Sequence, residues 1–132
     1  MKHLFLVFCV CAATAAWAAE TYPEDLLKDA KFRKAYHAML GPKKAVKWLA
    51  ALSGPAEPPK KVTEAGEEYL FFHICKAHDC NVHNMVVLYS AATSRCYAKL
   101  SENGKASKLG NPSAPISAAL DRLYQEQFGE IQ

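Results

Sequence analysis

YLFFHICKAHDCNVHNMVVLY, residues 69–89, is the stretch around which the rest of the chain can be understood. It contains an apolar run at 69–74, a six-residue segment at 75–80 that begins and ends in cysteine, and a second apolar run at 85–89. Short apolar runs rich in aromatic and β-branched residues predict strands. Both runs are apolar on both faces, which is typical of central strands covered on each side. The stretch therefore predicts two central strands joined by a cysteine-closed loop.

The loop between these strands presents three polar side chains, those of Lys76, His78 and Asp79. A disulfide between Cys75 and Cys80 would close a ring of six residues, for which chain entropy gives about 2 kcal/mol of stabilisation. The larger effect would be local, because a loop that is already ordered has less freedom to lose when it binds a partner. We interpret the loop as a preorganised binding element.

The loop sequence CKAHDC closely resembles the CKPHDC loop of the periplasmic inhibitor of vertebrate lysozyme (Ivy) family. The resemblance covers about residues 29–128, and it is looser outside the loop: in the strand that follows the loop and in segments 39–42, 48–49, 68–70 and 117–120. This chain departs from the family pattern at one loop position, where Ala77 replaces proline. Proline fixes φ and restricts the preceding residue. We therefore expect the loop of this chain to be more flexible than the proline-containing loop of the family.

The resemblance implies an exported protein inhibitor of c-type (vertebrate) lysozyme, with no catalytic residue, metal or cofactor of its own. In the family, the loop inserts into the active-site cleft of lysozyme and occludes it. The implied bridge joins Cys75 to Cys80, and His78 is the residue that would face the two catalytic carboxyls. The inhibitory loop then comprises six residues: Cys75, Lys76, Ala77, His78, Asp79 and Cys80.

The role that the resemblance gives to His78 is chemically sensible. A retaining glycosidase holds its two carboxyls about 5 Å apart. A protonated imidazole donates from both ring nitrogens, so one ring can bond to both carboxyls. Two anions nearby also favour the charged form of the ring.

The beginning of the chain has the pattern of a secretory signal. A short charged head at residues 1–3 precedes an apolar run at 4–15 and a small-x-small cleavage site at 16–18. The apolar run is too short to anchor the protein across a bilayer. We predict a signal peptide at 1–18, a single inhibitor domain at 19–132 and a periplasmic location.

Three cysteines remain after residue 18, and an exported protein occupies an oxidising space where disulfides form. Cys75 and Cys80 are the natural pair, because the predicted strands place Cys96 elsewhere. Cys96 alternates with Ala98 and Leu100, which puts it on an apolar face. We expect Cys96 to be a buried, inert thiol.

Charge limits the class of partner. Residues 19–132 carry 15 basic and 13 acidic side chains, which does not indicate a nucleic-acid surface. We also expect no association with a membrane once the signal peptide is cleaved. Lysozymes of the vertebrate type are basic, so net charge does not steer the proposed encounter. The apolar faces of the predicted strands are compatible with a homodimer contact.

The order of predicted elements is helices, then strands, then a helix. A helix capped by Asp29 runs to Leu40 and ends at Gly41-Pro42, and a short helix occupies 45–52. Strands follow from Lys60 to 109, with an Asn-Gly hairpin signal at 103–104. A last helix is predicted at 117–128. This order predicts an α+β fold, in which helices flank a central antiparallel sheet of about five strands.

Two alternatives concern the cysteine-rich segment itself. A metal site has enough candidate ligands within eleven residues, but the C-x-x-C spacing of zinc sites is missing and bridged cysteines cannot coordinate a metal. The candidate metal ligands are His73, Cys75, His78, Asp79, Cys80 and His83.

The second alternative is a thiol oxidoreductase. Such enzymes normally have C-x-x-C at the start of a helix, whereas this chain has four residues between Cys75 and Cys80, which lie between predicted strands.

A third alternative keeps the inhibitory loop and changes its target. Lytic transglycosylases of the bacterium's own periplasm cut the same glycan with a catalytic carboxyl, so a loop aimed at a carboxyl could regulate them. No Ser/His/Asp set, carboxylate pair or phosphate-binding loop stands out in the sequence. We therefore expect a binding protein rather than an enzyme.

Overall fold

A computed structural model describes residues 20–129. The signal peptide predicted at 1–18 lies outside the described residues. Within residues 20–129, no helix combines the length and the apolar character needed to cross a membrane. The helices are α1 (Pro23–Leu26), α2 (Ala30–Leu40), α3 (Lys47–Ala51) and α4 (Ala114–Phe128), with a 3-10 helix at Gly41–Ala45. The strands are β1 (Lys60–Glu64), β2 (Glu67–Cys75), β3 (Asn84–Ser90), β4 (Arg95–Glu102) and β5 (Lys105–Leu109).

The five strands form one antiparallel sheet in the order β1-β2-β3-β4-β5. The α+β class and the five-stranded sheet predicted from the sequence are confirmed. The strands β2 and β3 lie inside the sheet, and every residue of β3 is buried. Their register places Cys75 opposite Asn84, so the predicted loop lies at the end of the β2–β3 pair.

Alternation along the strands divides the core into two layers. Phe72 and Val87 belong to the layer beneath α2 and α3, whereas Phe71 and Val86 belong to the layer beneath α4. Neighbouring residues of a strand point to opposite faces, so a strand covered on both sides carries apolar side chains on both faces. This explains why the two runs beside the loop are mostly apolar rather than alternating.

The ends of the helices follow local signals. A side-chain oxygen of Asp29 accepts from the Phe32 N–H at 3.0 Å, and Gly41 ends α2 with a φ of 54°. The last helix begins at Ala114 rather than at the predicted Ser117, because Pro115 fits the first turn of a helix, where its missing N–H costs nothing. The short helix predicted at 45–52 occupies only Lys47–Ala51, since the 3-10 helix takes Ala45.

Cys96 is buried on β4, with 4% of its surface exposed. Burial raises the pKa of its thiol to about 12, because the charged thiolate is poorly solvated inside the core. The thiol is therefore protonated and unreactive at neutral pH. The prediction of a buried thiol is confirmed.

Candidate functional site

The segment between β2 and β3 is closed by a disulfide between Cys75 and Cys80, whose Cα atoms lie 4.9 Å apart. The structure therefore contains the predicted pairing. Lys76, Ala77 and His78 are exposed, whereas Asp79 and Cys80 are half-buried. All six predicted loop residues thus form one compact unit, with the first half of the loop facing solvent.

The loop is built on a type II β-turn. The Asp79 N–H donates to the carbonyl of Lys76 at 3.0 Å. The φ of His78 is 70°, whereas that of Ala77 is not positive. A positive φ at the third residue only is the signature of a type II turn, which favours proline at its second residue. Ala77 occupies that second position, so the proline of the family pattern fits this backbone.

His78 stands in the left-handed region, which a residue with a Cβ adopts at a cost of roughly 1 kcal/mol. The turn and the disulfide hold it there. Its side chain is exposed and has no hydrogen-bond partner within residues 20–129. The nearby pair of Lys76 and Asp79, 3.7 Å apart, is about half exposed on both sides and contributes little stability. His78 is therefore presented to solvent on a constrained backbone.

A second turn closes the loop on its other side. The carbonyl of Asp79 accepts from the N–H groups of Val82 and His83, at 3.1 and 2.9 Å. The Lys76 N–H donates to the carbonyl of His83 at 2.9 Å, which joins the two halves of the loop. These backbone bonds continue the β2–β3 ladder into the loop and limit its motion.

Helix α4 is tied to the loop through Asn84, which is completely buried. The Asn84 side-chain amide donates to the carbonyl of Cys80 at 2.8 Å. Its oxygen accepts from the Tyr124 hydroxyl at 2.5 Å. The ammonium of Lys99 lies 4.7 Å from the centre of the Tyr124 ring and holds the ring from its face. A chain of two hydrogen bonds therefore connects α4 to the loop backbone.

The segment after α3 supports the loop from another direction. The Cys75 N–H donates to the carbonyl of Pro55 at 3.3 Å, and Ala56 forms an isolated bridge with Ile74. Gly54 passes so close to Cys75 that a Cβ at position 54 would overlap the Cys75 carbonyl oxygen. Only glycine permits this approach.

The structure does not gather the candidate metal ligands into one site. Cys75 and Cys80 are bonded to each other, and within residues 20–129 no group of three or more His, Cys, Asp or Glu side chains is placed to hold a metal ion. His73 faces the α4 layer, where its ring meets Phe128 edge-on at 5.8 Å. It is a largely buried strand residue, with 14% of its side chain exposed.

Sequence reasoning missed Asn84, Tyr124 and Gly54. The bond from Tyr124 to Asn84 joins residues 40 positions apart, and no local pattern encodes such a contact. A glycine beside a proline indicates a turn, but it does not reveal which backbone lies against it.

We expect Tyr124→Phe to loosen the loop while leaving the ring and its contact with Lys99 in place. The change leaves the buried oxygen of Asn84 without a donor, which costs about 1–3 kcal/mol in the free energy of unfolding. Hydrogen exchange of the amides at 80–84 should accelerate by roughly fivefold or more.

The matched control is Tyr36→Phe, which removes a buried hydroxyl from the opposite face of the sheet. Tyr36 donates to the carbonyl of Leu49 in α3 at 2.6 Å, and this bond involves neither Asn84 nor Tyr124. This control should lower stability without a selective effect on the loop amides. Equal acceleration in both variants would contradict the connection through Asn84.

Comparisons with known proteins give a consistent result. A family model described as "Inhibitor of vertebrate lysozyme (Ivy)" matches residues 31–130. A curated protein of Pseudomonas aeruginosa, "Inhibitor of vertebrate lysozyme", is 30% identical over 98 residues, which make up 70% of this chain and 64% of that protein. An uncharacterised protein of the same bacterium is 29% identical over 105 residues, which make up 74% of this chain and 68% of that protein. The match to the named inhibitor thus spans slightly less than two thirds of its length.

Proposed function

Since this chain belongs to the inhibitor of vertebrate lysozyme (Ivy) family, we propose that it is an exported, periplasmic inhibitor of c-type lysozyme that blocks the active-site cleft with its loop at residues 75–80. One observation carries the proposal. His78 is the exposed third residue of a type II turn that a disulfide closes and that the sheet and α4 support. A side chain presented in this way is suited to entering a cleft.

The proposed mechanism is occlusion by a positioned imidazole. Lysozyme is a retaining glycosidase, whose two carboxyls lie about 5 Å apart with one of them protonated in an apolar environment. The His78 ring donates to one carboxyl from each nitrogen when it is charged. The rigid turn reduces the conformational entropy lost on binding, so more of the contact energy appears as affinity. Substrate is then excluded because the loop occupies its place.

The proposal is tested by mixing the protein with a vertebrate c-type lysozyme at equal molarity and following lysis of bacterial cell walls. We expect lysis to stop, and we expect added soluble glycan fragments to compete with the protein for the cleft. Continued lysis would refute c-type lysozyme as the target. Capture of periplasmic lytic transglycosylases on the immobilised protein would then test the alternative target.

We expect Ala77→Pro to tighten inhibition. Proline is favoured at the second position of a type II turn, and the Ala77 N–H has no backbone acceptor within residues 20–129. The substitution restricts the free loop and should be worth about 0.4–1 kcal/mol, or roughly a two- to fivefold lower inhibition constant. Ala77→Gly is the matched opposite change and should weaken inhibition. A proline variant that inhibits no better than the glycine variant would contradict the type II geometry.

A further inference from the structure

A groove lies between α2 and the turn that joins β3 to β4, at the end of the sheet opposite the loop. Two adjoining cavities of about 340 and 320 Å³ form it, and both are lined by Ala35, Ala38 and Ser94. Both cavities are lined by small or apolar side chains together with several hydrogen-bond donors. These donors are the side chains of Lys31, Lys34, Thr93, Ser94 and Arg95.

The cations of this groove lack anionic partners on the protein. Neither cavity is lined by a carboxylate. Lys31 reaches across from α2 and donates to the carbonyl of Ala91 at 2.6 Å. Lys34 and Arg95 are exposed, and in the described part of the chain neither forms an ion pair or a side-chain hydrogen bond. Their donors are therefore available to a ligand.

The other cavities differ in this respect. The cavity beside Lys61 is also lined by Glu67 and Glu68. The cavity beside Tyr124 contains Lys99, whose ammonium is already paired with Asp121 at 2.9 Å. Uncompensated cations thus distinguish the groove along α2.

Charge is also distributed unevenly over the molecule. Residues 30–56, which form α2, the 3-10 helix and α3, contain six basic and no acidic side chains. The remaining described residues contain nine basic and twelve acidic side chains. The field of the helical layer therefore attracts anions, while the net charge of the rest of the protein is negative.

We propose that the groove along α2 is a binding site for a phosphate group carried by an organic ester. Arg95 and Thr93 line one of the two adjoining cavities, Lys34 lines the other, and Ser94 lines both. Together their side chains offer more donors than the two oxygens of a carboxylate can use. A tetrahedral phosphate has acceptors for them in several directions. The small side chains of Ala35 and Ala38 leave room for the carbon part of the ester.

The groove is independent of the proposed inhibitory loop. β3 separates the two sites along its seven residues, which corresponds to roughly 20 Å. A phosphate ester and a protein partner can therefore be bound at the same time. The site does not depend on lysozyme being the target of the loop.

The test is a titration of the ¹⁵N-labelled protein with inorganic phosphate, and separately with acetate at equal ionic strength. We expect saturable shifts of the amides at 31–38 and 93–95 with phosphate, and at least about tenfold weaker binding of acetate. Lys34→Gln and Arg95→Gln should each weaken phosphate binding by about fivefold or more. Lys44→Gln makes the same charge change on the same layer, outside the groove, and should leave binding unchanged.

Two further measurements identify the source of the phosphate. Co-sedimentation with phosphatidylglycerol vesicles, but not with phosphatidylcholine vesicles, that is lost in Arg95→Gln would identify a lipid headgroup. Saturable binding of glycerol 3-phosphate without co-sedimentation would identify a soluble ester. Shifts that never saturate, acetate that binds as well as phosphate, or an equal loss in Lys44→Gln would overturn the site.

Discussion

Replacing His78 with glycine should abolish inhibition while leaving the loop intact. Glycine adopts a positive φ without the cost that a Cβ imposes, so the turn loses its strain as it loses the imidazole. If the ring donates to two carboxyls, its removal forfeits two charge-assisted hydrogen bonds. Each is worth about 1.5–3 kcal/mol, so the inhibition constant should rise by at least roughly a hundredfold. The measurement is the inhibition constant in a cell-wall lysis assay.

The matched control is His83→Ala, which removes the other histidine of the segment between β2 and β3. His83 is half-buried and contributes to the loop through its backbone, which the substitution leaves in place. Inhibition should therefore change by no more than a few fold, and both variants should unfold at similar denaturant concentrations. A glycine variant that inhibits as well as the unaltered protein would exclude His78 as the residue that blocks the cleft.

Gly54→Ala should cause the largest loss of stability among single-methyl additions near the loop. The new Cβ would overlap the carbonyl oxygen of Cys75, and the φ of 147° at position 54 is itself unfavourable for alanine. The obstacle is backbone rather than a flexible side chain, so either the segment at 54–56 or the base of the loop must move. We expect about 3 kcal/mol or more in the free energy of unfolding, measured by urea denaturation.

Substitutions at two other glycines separate the effect of a positive φ from the effect of steric overlap with backbone. Gly66→Ala meets nothing within 4 Å but also has a positive φ, so it should cost only about 1 kcal/mol. Gly110→Ala would overlap the carbonyl oxygen of Cys96, away from the loop, so it should destabilise the protein strongly. Only in the Gly54→Ala variant should the molecules that remain folded also inhibit lysozyme more weakly. Equal inhibition by the folded fractions of the Gly54 and Gly110 variants would show that the segment at 54–56 does not position the loop.

The features predicted correctly from the sequence have local signals. Asp29 and Gly41 mark the ends of α2, the Asn103-Gly104 pair marks a hairpin, and unbroken apolar runs mark the inner strands. The cysteine pairing is equally local, since five positions separate Cys75 from Cys80.

The supports of the loop could not be predicted because they depend on packing between distant segments. Tyr124 reaches Asn84 only once α4 lies across the sheet, and Gly54 meets Cys75 only once α3 has packed on the other face. The left-handed conformation of His78 could not be predicted from the sequence for another reason. With alanine at position 77, the sequence lacks the proline that would have marked the turn type.

The order of the strands has a consequence for how the protein folds. Each strand of the sheet pairs with its immediate neighbours in the chain, so every pairing requires closure of only a short loop. Short closures cost little entropy, and a topology of low contact order folds fast for a sheet protein. The β2–β3 hairpin brings Cys75 and Cys80 together by itself, so their oxidation does not have to wait for α4 to dock. Among the cysteines of residues 20–129, Cys96 becomes buried as the sheet is covered, so its thiol no longer competes with Cys75 and Cys80 for disulfide formation.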